Sequence, residues 1–203
     1  MSQYARMFDT TGIGPGFGDG GEGDEALAMI VAGLELLRAE ERAGWSSAAR
    51  SSRVLEVAHA AERLNSELVR AVAAGDGHGD YAADGSLSAT AWLTHRIPCT
   101  HASAARLVSA SRLTRRSTRI EKALDAGDMT VDQVEQIAKV IRNREDIFAT
   151  HGDVLVDAAH ELPPEQFRTA AARWRALADD ELGRCADPHD TTRNELTLSP
   201  TLG

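Results

Sequence analysis

Cysteine is almost missing from this sequence: only Cys99 and Cys185 occur in 203 residues, and neither sits in a CxxC pair. That excludes a disulfide framework and fits a reducing compartment. Aromatic residues amount to 4%, and β-sheets draw heavily on such side chains. No apolar run approaches the roughly 20 residues that a membrane span needs. The N-terminus has none of the apolar core that marks a signal peptide. The expectation is a cytoplasmic protein with no membrane partner.

What is present is helical material. Alanine, leucine, valine, glutamate and arginine dominate, so an all-α multi-helix bundle with a small-residue core is expected. The net charge is −9, which argues against a uniformly basic nucleic-acid binder. The distribution says otherwise. Residues 95–120 hold Arg96, Arg106, Arg112, Arg115, Arg116 and Arg119 and no acid at all. A ligand meets a local patch rather than an average.

Residues 1–24 form a glycine-rich tail, "TGIGPGFGDGGEGD" at its heart, expected to be disordered. No Gly-Lys-Ser/Thr follows it, so it is not a phosphate-binding loop. Residues 25–74 read as a long helical hairpin. Its first helix runs from an Asp24 cap to about residue 42, with Leu27, Ile30, Leu34 and Leu37 along one face. Its second runs over about 46–74, with Leu55, Ala58, Leu64, Leu68 and Val72 turned inward. Pairing of this hairpin with a second copy, as a homodimer, is one expected use of it.

A glycine-rich connector covers 73–86. A helical domain, 86–182, follows with helices at about 87–96, 100–113 and 115–126. "TVDQ" at 130–133 reads as a capping box that opens a helix to about 142. Further helices cover about 145–160 and, after Pro163 and Pro164, the stretch to 182. Residues 183–203 read as a tail whose "ELTLSP" alternates like a strand, so the fold should end in a short unpaired strand near 195–200. Its strand partner is not in the sequence.

Residues 89–120 read as a helix-turn-helix-like unit. Leu93, Ile97, Cys99, Ala104 and Leu107 fall where such a unit buries side chains, and Thr100 caps the second helix. His101, Ser103 and Arg106 would face DNA bases. Arg96, Arg112, Arg115, Arg116 and Arg119 would hold phosphates. Pro98 departs from the pattern, because the turn usually takes a glycine with positive φ.

Other chemistry is not supported. His95, Cys99 and His101, even joined by Cys185 and His189, match no common zinc spacing, so neither metal nor cofactor is expected. No serine sits in a nucleophile elbow. Trp45, Trp92 and Trp174 read as core anchors. Two "HGD" runs, at 78–80 and 151–153, read as loops.

The runs "LSATAWLTHRIPCTHASAARLVSASRL", "ALDAGDMTVDQVEQIAKVI", "ELPPEQFRTAAARWRALAD" and "LTLSPTLG" together resemble the actinobacterial family called domain of unknown function 222. The resemblance covers about residues 25–203. It implies a helical region that usually stands before a C-terminal HNH endonuclease domain and helps place that nuclease on DNA. The order of the helices also resembles the central DNA-binding domain of ParB-type partition proteins. An HNH nuclease needs a histidine base and a metal on a ββα unit, and the sequence up to Gly203 carries none. The expectation is therefore a DNA-binding or positioning module that is not itself an enzyme, with a separate HNH domain as a partner. The competing expectation is a helical dimerisation or interaction scaffold whose arginines pair with acids on neighbouring helices.

Overall fold

The computed structural model describes residues 22–183, and all regular structure among them is helical. The expected strand near 195–200, Cys185 and His189 lie outside the described residues. The chain divides into two compact units, residues 1–54 and 55–203.

The first unit contains helix α1, Glu22–Ala39, a turn, and the opening of α2, Ser47–His78; Asp24, expected to cap the first helix, lies inside α1. The Arg42 guanidinium folds back onto the Leu37 carbonyl at 2.6 Å. Arg53 pairs with Glu40 at 3.0 Å and lies over the Trp45 ring, 5.3 Å from its centroid. These contacts shape the bend at 40–46. The inward face expected on α1 is not buried: Leu27, Ile30 and Leu34 are exposed, and Leu37 is only half-buried.

In the second unit α2 runs on to His78, so most of the expected connector's first half is helical. A short 3-10 turn, Asp80–Ala82, follows. Then come α3 (Ala89–Arg96), α4 (His101–Arg116), α5 (Thr118–Ala126), α6 (Val131–Ile141), α7 (Glu145–Glu161) and α8 (Pro164–Glu181). His151, Gly152 and Asp153 lie within α7, not in a loop as expected.

The face that α2 buries also differs from the expected one. Ser66, Val69 and Ala73 are buried, while Leu55, Leu64 and Leu68 are 61%, 43% and 43% exposed. Polar anchors decide this. The Glu62 carboxylate accepts the Val131 N–H at 2.6 Å, at the start of α6, where a helix favours negative charge. Asp76 grips two arginines of α4, Arg112 and Arg115. Glu62, Ser66, Val69, Ala73 and Asp76 fall at spacings of four and three, one stripe of a helix. Small residues along it let the backbones approach.

The remaining helices begin where local chemistry dictates. Ser88, Thr100 and Ser117 each accept a backbone N–H as N-caps. Thr130 and Gln133 form the expected capping box. Gly127, at φ 78°, closes α5 in a conformation that side chains resist. The main core gathers Val69, Leu113, Ile120, Ile137, Leu155 and Phe167 from six different helices. A smaller cluster of Ala89, Leu93, Ala104 and Val108 joins α3 to α4, with Ile97, Cys99 and Leu107 packed against it.

Candidate nucleic-acid interface

The turn between α3 and α4 needs no glycine. Ile97 is extended (φ −125°, ψ 148°), as a residue before proline prefers. The Cys99 N–H donates to the Ile97 carbonyl at 2.8 Å, a three-residue turn centred on Pro98. Thr100 then caps α4 through the Ser103 N–H at 3.1 Å. Proline thus replaces the usual positive φ with a tight turn of its own.

α4 packs against α3, α5 and α6. Its exposed stripe is Ala102, Arg106, Ser109, Arg112 and Arg116. The acid-free run of the sequence is not acid-free in space. Arg96 meets Asp84 at 2.7 Å, beside the Trp92 indole N–H that donates to the same oxygen at 2.6 Å. Arg106 meets Glu135 at 3.1 Å, and its other end donates to Ser103 Oγ at 3.3 Å. Arg112 clasps Asp76 with two hydrogen bonds, 2.9 and 2.8 Å. Arg115 reaches the same carboxylate at 3.6 Å. Arg119 pairs with Asp153 at 2.6 Å and with Asp157. Of the six arginines, Arg116 has no ion-pair or side-chain hydrogen-bond partner among the described residues. His101 is exposed, and Ser103 is half-buried with its hydroxyl 3.0 Å from Thr100 Oγ1.

Two carboxylates respond in opposite directions. The Asp76 side chain is only 3% exposed. The hydrogen bonds from Arg112 hold it below the usual carboxylate range, against the opposing effect of burial, and the charges of Arg112, Arg115 and Arg116 add to this. Burial raises Glu135, which the single pair with Arg106 only partly offsets.

The α4 stripe forms one wall of a groove of 1420 Å³ whose other walls are α6, α7 and α8. Arg106, Arg112 and Arg116 line it from α4, and Arg119 from α5. Lys139, Arg142 and Arg144 line it around the end of α6, and Arg168 and Arg175 from α8. Four acids also line it: Asp132, Glu135, Glu145 and Asp153. Several of the cations have acidic partners; Arg144, for example, is held by Asp179 at 2.6 and 2.7 Å. Among the described residues, the Arg116, Lys139 and Arg142 side chains have no ion-pair or hydrogen-bond partner. Phe148, Leu113, Val156 and Ala171 supply apolar lining.

The groove brings together four residues expected from the sequence, Arg106, Arg112, Arg116 and Arg119. It leaves out Arg96, Arg115, His101 and Ser103. Sequence reasoning missed the cations of α6 and α8, which come from helices read only from a capping box and from a pair of opening prolines. Lys139 and Arg142 do follow an apolar face at the end of α6, a signal of a basic edge. Among the described residues, no group of three or more His, Cys, Asp or Glu side chains is placed to hold a metal. Nor is any helix among them long and apolar enough to cross a membrane. No family model, no curated protein and no solved structure matches the chain.

Proposed function

We propose that this chain is a helical DNA-binding or positioning module, without nuclease chemistry of its own, that works beside an HNH endonuclease domain. The single observation that carries the reading is the groove against α4, with cations from several helices, three of them without an ion-pair partner among the described residues. Exposed ion pairs contribute little because water screens them. A phosphate can therefore compete for an arginine such as Arg106 or Arg168. Released counterions drive such binding and make it salt-dependent. The resemblance to domain of unknown function 222 supports the nuclease context, and the acidic remainder of the chain limits indiscriminate association.

The test is a salt series on the full chain with labelled DNA. Affinity should fall steeply as salt rises. Replacing Arg116, Lys139 and Arg142 by glutamine should reduce the slope by about 2 to 3. Absence of binding to any DNA at low salt would sink the reading.

A second reading is favoured by the ion pairs themselves. Five of the six clustered arginines have acidic partners, as an interaction scaffold requires. Val57, Ala61, Leu64, Leu68 and Ala71 form an exposed stripe on α2 at heptad-like spacings. A second copy of the chain is the partner this stripe suits, because the same spacing on both helices lets them interlock. A dimer by sedimentation, indifferent to DNA, would favour this reading over the first.

A further inference from the structure

We infer that the groove takes a single extended strand of nucleic acid, one base of which stacks on Phe148. This rests on the nucleic-acid reading above and says which form of nucleic acid the site suits.

Shape is the first argument. A helix that reads duplex DNA must enter a major groove about 12 Å wide, with its reading face projecting. Here Arg106, Ser109, Arg112 and Arg116 line a concavity together with residues of α6, against which α4 packs, and of α7 and α8. The Arg106–Glu135 bond ties the two walls together. A concave wall does not enter a duplex groove, but it can track one phosphate backbone.

The second argument is Phe148. It lines the groove and is half-buried, packed against the main core. Trp174 braces it edge to face, with centroids 6.2 Å apart and planes at 78°. One turn along α7, Gly152 makes room: a Cβ there would lie 2.7 Å from two ring carbons. Glycine inside a helix is otherwise unfavourable. The ring is therefore seated and braced, as a stacking platform must be. Aromatic stacking accepts any base, because every base has a π-face. Arg116, Lys139 and Arg142, which have no ion-pair partner among the described residues, supply phosphate contacts along the same groove.

Fluorescence anisotropy on the full chain at low salt tests this. The probes are a labelled 20-nucleotide mixed-sequence strand and the duplex made from it, with polyglutamate as competitor. The single strand should bind at least tenfold more tightly than the duplex. Phe148→Leu should lose about tenfold or more of single-strand affinity, with duplex affinity unchanged, and Phe148→Trp should keep it. Thermal unfolding checks that both variants remain folded, and the tryptophan variant separates stacking from packing. Equal or tighter duplex binding, or a leucine variant that loses nothing, overturns this inference but leaves the nucleic-acid reading standing. Displacement of the strand by polyglutamate at equal charge would assign the groove to an acidic polypeptide and overturn it. Failure of strand and duplex alike to bind overturns both readings.

Discussion

Asp76 does more than any other single residue to set where the arginines of α4 point. Its carboxylate is shielded from water and holds Arg112 and Arg115 together. Asp76→Asn should cost about 2 kcal/mol of stability, because it removes the charge while leaving two arginines to find water. Urea unfolding measures this. The pH dependence follows from the sign of the shift. A carboxyl held low in the folded protein stabilises fully above its unfolded value, near 3.9, and that stabilisation is lost as pH falls through the folded value. The wild type should therefore lose this increment only in strong acid, and the asparagine variant should lack it at every pH. Glu135 has the opposite sign. Burial raises it, so its ionisation on the way up in pH opposes folding. Glu135→Gln should leave stability at neutral pH equal or slightly higher. It should also free Arg106 and strengthen DNA binding severalfold, read by anisotropy.

At the scale of elements, α4 owes its place to a proline turn and a threonine cap. Thr100→Ala should cost about 1 kcal/mol, measured by thermal unfolding, since Thr100 satisfies an N–H that the helix leaves open. The Thr100 and Thr130 caps were legible in the sequence because each depends on a neighbour three residues away. Thr130 and Gln133 show this: both halves of the box are local. The burial of α2 was not legible. Its leucines mark the more apolar stripe, yet Glu62 and Asp76 find partners 69 and 36 residues away, and those partners choose the other face. The exposed stripe then becomes a testable surface. If a second copy covers it, Leu64→Glu together with Leu68→Glu should convert a dimer to a monomer in sedimentation without lowering the unfolding temperature of the monomer.

For the whole molecule, the relevant quantity is charge in space. The sequence carries a net −9 and one acid-free segment. Folding returns acids to that segment from α2, α6 and α7 and leaves cations uncovered elsewhere, at the end of α6. Replacing Arg116, Lys139 and Arg142 should therefore weaken DNA binding with little change in unfolding temperature, because none of the three makes a salt bridge among the described residues. Replacing Arg112 should lower both, because it anchors α2.

Sequence alone determined what depends on near neighbours: the all-helical class, most helix limits and the caps at Thr100 and Thr130. Each follows from periodicity or from a hydrogen bond within one turn. Only the tertiary structure decided which arginines are neutralised, which face of α2 is buried and where the groove lies. Those outcomes depend on pairs such as Arg119 and Asp153, 34 residues apart, and a Coulomb interaction depends on distance in space, not along the chain. Phe148 shows the same limit: its four-residue spacing to Gly152 is visible in the sequence, but the groove that gives the pair a use is built by other helices.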